Sequence, residues 1–305
     1  MGKRYSDYNN YLRQLFGQRV QKISIDAGLS CPNRDGFLSE KGCTYCNSKG
    51  SGSGMFKKGL SIKEQIETNK IGAIKKYKTK KFLAYFQSYS NTYTSCEHMK
   101  LMFDEALSSE DMVGMTIGTR PDCIDAPKLD LIESYTKNYL VWLEYGLQSV
   151  HDTTLQKINR RHSVKDFFNA VELTMNRGIN ICTHVILGLP GEDRNMMLKT
   201  AKTLADSPIN GVKIHLLYVV KGTMLDNMWK RGEYIPMEQK EYVDTVCDFL
   251  ELLPNNIIIQ RITGDPHTDE LQAPMWAGRY RETFNMIQNT LEKRDSFQGK
   301  KYKPA

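Results

Sequence analysis

Short apolar runs alternate with longer amphipathic stretches along most of the chain. The runs Val20–Ile25, Phe82–Gln87, Met112–Ile117, Leu140–Tyr145, Ile181–Leu187 and Val212–Leu217 are too short for helices and have the length of buried strands. A seventh, Ile257–Ile262, comes later. Helix punctuation lies between them. Ser61 with Glu64, Thr94 with Glu97, and Ser163 with Asp166 have the spacing of capping boxes. Gly178 follows Val164–Arg177 where a C′ glycine would end a helix. Six strand–helix units in series predict an α/β fold with a parallel sheet and right-handed crossovers. Periodicity leaves two closures open, a partial barrel and an open doubly wound sheet. In either, the loops after the strands' C-terminal ends build the site.

Beyond Leu217 the pattern weakens. Glu238–Leu253 and Arg279–Leu291 read as helices, and the segment RITGDPHTDELQAPMW between them as a loop, with Gly264, Pro266 and Pro274 as breakers. The expected division is a core over residues 1–220 and a C-terminal α/β extension over 221–305, ending in a basic tail, 293–305. No run approaches the roughly 20 apolar residues of a membrane helix. The polar, aromatic N-terminus has no apolar signal core. A cytoplasmic protein without membrane contact is expected.

The net charge of +7 is unevenly spread. Lys57, Lys58, Lys63, Lys70, Lys75, Lys76, Lys78, Lys80 and Lys81 face only Glu64 and Glu67 in that stretch. The tail adds Lys293, Arg294, Lys300, Lys301 and Lys303 against Asp295. Such patches either attract a polyanion by counterion release or form a solvated helix face and a loose tail.

Seven cysteines in a reducing compartment point to metal binding, catalysis or burial rather than disulfides. Cys31, Cys43 and Cys46 form C-x11-C-x2-C directly behind the first strand, followed by the glycine-rich segment Ser48–Gly54. Three thiolates from one loop can hold three irons of a cubane and leave the fourth open. A structural zinc site would need a fourth ligand, for which Cys96 and His98 are the nearest candidates. On spacing alone both metals, or three unrelated cysteines, stay open. Cys182 and Cys247 lie in apolar runs and read as buried hydrophobes. His184 and His215, on the fifth and sixth strands, either line the interior or are satisfied core residues, the commoner case for a strand histidine.

The strings CPNRDG, GCTYC, YFQSYSNTY, GTRPDC, LEYGLQS, INRRH, ILGLPGE and RITGD, in this order, resemble the radical S-adenosylmethionine (SAM) superfamily. The resemblance covers nearly the whole chain. It is nearest to the YhcC/YtqA-type proteins, relatives of the radical domain in the Elongator catalytic subunit. It implies a partial (β/α)6 TIM barrel and one 4Fe-4S cluster on Cys31, Cys43 and Cys46. It also implies S-adenosyl-L-methionine chelating the open iron, cleaved by one electron to a 5′-deoxyadenosyl radical that takes hydrogen from the substrate. By the same resemblance Tyr45 lies beside the adenine and Ser88 near the methionine group. Gln148 bonds the ribose or carboxylate region, Arg160 partners the carboxylate with Arg161 as its rival, and Leu187 and Gly188 meet the adenine. Cys123, in GTRPDC, is a candidate catalytic thiol at the substrate site.

The absence of a second cysteine trio argues against a two-cluster sulfur-inserting enzyme. The resemblance implies a tRNA substrate, with a wobble uridine trimmed from carboxymethylaminomethyl to aminomethyl and stacked on Tyr89 or Tyr93. An electron donor such as flavodoxin or ferredoxin would serve it. Two alternatives stand beside this: a radical enzyme on a small molecule or tetrapyrrole, and a zinc-stabilised nucleic-acid-binding module without catalysis.

Overall fold

Strands β1 (Val20–Ile25), β2 (Lys81–Phe86), β3 (Met112–Thr119), β4 (Leu140–Gln148), β5 (Asn180–Leu187) and β6 (Gly211–Leu216) pair in parallel in chain order. After β7 (Val219–Val220), β8 (Ile258–Arg261) joins β6 as the seventh parallel strand, while β9 (Leu271–Ala273) pairs antiparallel with β7. Every crossover moves the same way across the sheet, so right-handed connections leave the helices on one face. A doubly wound sheet needs a reversal of strand order that is not there. The sheet therefore curls into a partial barrel. The structure is a computed structural model describing residues 3–47, 50, 54–266 and 269–304; apart from Gly50 and Gly54, the glycine-rich segment lies outside the described residues.

Helices α2 (Ile62–Tyr77), α3 (Cys96–Leu107), α4 (Ala126–Ser134), α6 (Val164–Thr174) and α7 (Arg194–Ala205) form the crossovers, with the short α5 (Asp152–Lys157) ahead of α6. Each buries one stripe. In α3, Met99, Met102, Phe103, Ala106 and Leu107 are buried, a helical repeat facing the sheet, and Phe103 meets Phe86 edge-on at 5.2 Å. The capping boxes at Ser61 and Ser163 are present. The third start falls one residue later than its spacing suggests: Ser95, not Thr94, accepts from the His98 amide. Helix α6 stops at Thr174, before Arg177, and Gly178 takes φ +70° in the turn beyond.

The N-terminal segment adds an element outside the strand–helix alternation. Helix α1 (Tyr8–Phe16) is capped by Asp7 and buries Tyr8 and Leu12. These pack on Val20, Leu83, Trp142 and Cys182 inside the barrel, with the Tyr8 ring 5.6 Å from Trp142. Helix α1 thus plugs the end where the strands begin. At the other terminus, α8 (Met224–Lys230) and α9 (Gln239–Leu252) precede β8, and α10 (Tyr280–Lys293) packs on α9. The tail is docked rather than loose: Arg294 pairs with Asp244 at 2.7 Å and Asp248 at 2.9 Å, and Lys301 pairs with Glu251. Among the described residues no helix is long and apolar enough to cross a membrane.

Candidate active site

Strand alternation sorts the barrel interior into layers. Above the apolar plug sits a charged layer: Lys22, Tyr85, Glu144, His184 and Lys213, from β1, β2, β4, β5 and β6. Above that opens a cavity of about 340 Å³ at the strands' C-terminal ends. Cys31, Cys43 and Cys46 line it together with Tyr45, Gln148 and Arg160.

The cysteine loop is held by its backbone. The Arg34 amide donates to Cys31 O at 2.8 Å, Gly42 N to Asn33 O at 2.8 Å, and Cys46 N to Cys43 O at 3.0 Å. Thr44 is clamped from both sides: its amide donates to Ile158 O, and its carbonyl accepts from Leu225 N on α8. Asn159 Nδ2 donates to Gly42 O at 2.6 Å. The Cys43 sulfur faces two donors, Asn33 Nδ2 at 3.5 Å and Arg160 Nη1 at 3.6 Å. Burial and then Cys43 push the Cys46 thiol up to about 11, with Cys31 adding to the rise and Arg34 opposing it. Three sulfurs gathered on one cavity, with guanidinium and amide donors beside Cys43, suit a bound positive centre.

Arg160 is built in from several elements. Its Nη2 donates to Gly146 O at 2.7 Å and its Nε to His162 Nε2 at 2.9 Å, while Arg120 Nη1 donates to Arg160 O. Burial works against its charge, but Cys43 and Tyr45 hold the guanidinium pKa above its ordinary value. Burial, then the Arg160 and Arg120 charges, lower His162 to about 3, so its neutral Nε2 accepts. At position 146 a Cβ would lie 2.5 Å from Arg160 Nη2, so a larger residue would displace the guanidinium from its place. Gln148, two residues on, holds φ +77°, a conformation costing a non-glycine residue about 1–3 kcal/mol. Arg161 instead points outward to Asn159 Oδ1 and is exposed.

Below the cavity, Glu144 Oε1 accepts from Lys22 Nζ at 2.9 Å and Oε2 from His184 Nε2 at 2.7 Å and from Lys213 Nζ. Burial alone would raise the Glu144 carboxyl, but Lys213, Lys22 and His184 hold it well below the usual carboxylate range. Burial, then Lys213, lower His184 to about 4, so the neutral ring donates.

The model of the radical SAM superfamily matches residues 36–204, and that of the radical SAM C-terminal domain residues 209–293. The chain belongs to the radical SAM superfamily. It is 39% identical to YtqA of Bacillus subtilis (strain 168), over 98% of this chain and 92% of that protein. A tRNA uridine(34) acetyltransferase of Methanocaldococcus jannaschii is 31% identical over 50% of this chain and 28% of its own length. Archaeal Elp3 from Methanocaldococcus infernus, with an N-terminal deletion, shares the fold at TM-score 0.69 and 20% identity, covering 92% of this chain and 64% of that one.

Radical SAM proteins use a 4Fe-4S cluster and S-adenosylmethionine, and the donor set fits both. Three soft sulfurs line one cavity, and a buried guanidinium stands beside them. Zinc closure finds no support in geometry. Cys96 opens α3, His98 is exposed on it, and neither lines the cavity.

The other expected contacts divide. Tyr45, Gln148 and Arg160 line the cavity. Leu187 packs in the core cluster beneath the helices, and its neighbour Ile186 lines the cavity. Gly188, at φ +84°, lies at the β5 end, its carbonyl accepting from Tyr234 OH at 3.0 Å. Ser88 is buried with its hydroxyl unpartnered, and its neighbours Gln87 and Tyr89 are the ones lining the cavity. Cys123 lies behind the wall, 3.7 Å from Ser90 Oγ, and burial, then Asp122, push its thiol up to about 11. That is a poor setting for a reactive sulfur. His184 and His215 both line the cavity. Glu144, Lys213 and Arg261 were missed, although a charged residue amid an apolar strand is a signal in itself.

Proposed function

We propose that this radical SAM protein remodels the side chain of a tRNA wobble uridine, trimming carboxymethylaminomethyl to aminomethyl. The observation carrying the substrate class is the similarity to a tRNA uridine(34) acetyltransferase across half of this chain. In this reading Cys31, Cys43 and Cys46 would hold the cluster, whose chemistry, given one electron from a flavodoxin or ferredoxin, would be cleavage of S-adenosylmethionine to methionine and a hydrogen-abstracting 5′-deoxyadenosyl radical. The side chain's carboxyl-bearing methylene, losing a hydrogen atom to that radical and one electron back to the cluster, would become an imine that water splits into the aminomethyl group and glyoxylate. Arg160 grips the cofactor's carboxylate, a bidentate task suited to a guanidinium. Tyr45 and Gln148 orient the rest, and the cavity keeps water from the radical. A wobble base is unpaired and can enter such a mouth without melting a duplex, and Tyr89 on the cavity wall offers a ring to stack on.

Comparing tRNA nucleosides by mass spectrometry from cells with and without the gene tests this. Loss of the gene should leave the carboxymethylaminomethyl form in place of the aminomethyl form. An unchanged wobble-uridine profile removes the reading.

The lysine-rich stretch gives a graded prediction. Helix α2 follows the C-terminal end of β1, so it starts at the mouth and runs 16 residues away from it, about 24 Å. Phe56, beside Lys57 and Lys58, packs over Gly28 just past β1. Lys57, Lys58 and Lys63 thus sit near the mouth, while Lys75 and Lys76 lie at the far end; all five are exposed. Reversing Lys57 and Lys58 to glutamate should raise the KM for tRNA roughly tenfold and flatten its salt dependence. Reversing Lys75 and Lys76 should do less, and equal effects would argue against entry at the mouth.

A further inference from the structure

Two polar groups line the cavity without a partner, on strands at the opposite edge of the sheet from β1. Register between β6 and β8 pairs Val212 with Ile259 and then Lys213 with Arg261, skipping Gln260. Such a bulge re-aims the side chain beside it, and Arg261 lines the cavity. Among the described residues its guanidinium makes no hydrogen bond or ion pair. His215 stands two residues past Lys213, on the same face of β6. Its Nε2 is buried without a partner. Burial, then the Arg261 charge, keep the His215 ring neutral, so it can donate without adding charge.

The nearby carboxylates are otherwise engaged. Glu144 serves Lys22, Lys213 and His184, and Glu270 accepts from Asn47 Nδ2 at 2.9 Å. Asp265 lines the cavity but is exposed, with no ion pair to Arg261. A planar fork of donors in a walled cavity lacks its natural complement, a carboxylate. The cofactor's own carboxylate is the weaker candidate, since Arg160 lies 3.6 Å from the Cys43 sulfur and Arg261 is on another strand edge.

We propose that Arg261, with His215 beside it, is the subsite for the carboxylate ending the substrate's side chain. This rests on the wobble-uridine reading and deepens it. The carboxylated substrate would be held by a charged pair that the aminomethyl product lacks, so the product leaves and the substrate is preferred.

Isothermal titration of anaerobically reconstituted holoenzyme with 5-carboxymethylaminomethyluridine and 5-aminomethyluridine tests the subsite directly. Charge-assisted hydrogen bonds should favour the carboxylated nucleoside by about 10- to 100-fold. Arg261→Gln, matched for iron content, should bring the ratio near unity, and Arg261→Lys should retain part of it. His215→Asn gives an independent variant, expected to narrow the ratio. Equal affinity in the wild-type protein, no binding of the carboxylated nucleoside at millimolar concentration, or a full ratio in Arg261→Gln would each overturn the proposal. A wild-type protein that prefers the carboxylated nucleoside while tRNA in cells stays unaltered supports the subsite and removes the wobble-uridine reading.

Discussion

Replacing Cys43 by alanine is expected to give a folded protein without cluster absorption that forms 5′-deoxyadenosine from S-adenosylmethionine only at background level. The loop around Cys43 is held by bonds that do not involve its side chain, through Thr44 to Ile158 and Leu225 and through Gly42 to Asn159. The fold should therefore survive, with circular dichroism unchanged. What is lost is the sulfur facing Asn33 Nδ2 and Arg160 Nη1, leaving two thiolates where a cubane open at one iron needs three. The fall in cleavage should exceed the roughly 10- to 100-fold that changes around a metal's ligands cost. Asn33→Ala, which removes a donor to the sulfur and a 2.7 Å bond to Asn159 O while leaving all three ligands, should fall within that range. Cys123→Ala should keep its iron, because that thiol is buried behind Ser90. Undiminished cleavage by Cys43→Ala under dithionite would sink the ligand assignment.

The barrel was legible where burial dictates composition. A strand covered on both faces must be apolar, so β2 appears as an uninterrupted run over residues 82–86. Strand ends were less legible because the site modifies them. Strand β4 continues past Tyr145 to Gln148, and β3 past Ile117 to Thr119, through Gly146 and Gly118. Gly146 is there to admit Arg160, and out of context reads as a breaker. Closure was invisible to periodicity, since an open sheet and a partial barrel share one repeat and differ only in strand order. Helix α1 was legible, since Tyr8, Tyr11, Leu12, Leu15 and Phe16 repeat at helical spacing; what the sequence could not show is that its face meets Trp142 across the barrel. The cysteine trio announced itself by spacing. The charged layer could not, because Lys22, Glu144 and Lys213 are far apart in sequence and meet only when three strands curl together.

That layer carries the second large effect. Glu144→Ala should lower the protein's stability by about 3–5 kcal/mol, a drop in melting temperature on the order of 10 °C. The carboxylate is 1% exposed and balances two lysines, of which Lys213 is nearly as buried. Burial draws Lys213 down to about 7 against the pull of Glu144. Without the carboxylate it would be an isolated charge or shed its proton, and either costs folding free energy. Lys22 is partly exposed, and it keeps Gln260 at 2.9 Å and the Tyr8 and Tyr85 rings at 4.7 Å. Removing the second charge as well, in Glu144→Gln with Lys213→Met, should therefore recover most of the loss, because the buried lysine is no longer left unpaired and the amide carbonyl still accepts from Lys22 or His184.

The pH dependence has a definite sign. Glu144 has a depressed folded pKa, so its contribution is complete above the unfolded carboxyl value of about 4.5 and fades as pH falls towards the folded one. Because Lys213 titrates at about 7 and would fall further without the carboxylate, the gap between wild type and Glu144→Gln should widen as pH drops below about 7 and narrow only below that carboxyl value. Melting curves across that range decide the matter. A double variant no more stable than Glu144→Ala, or a gap that goes on widening below the carboxyl value, would mean the three strands are not held by this ion cluster. Tyr85 and His184 belong to the layer and also line the cavity. Its loss should therefore loosen the floor on which the cofactor and substrate rest.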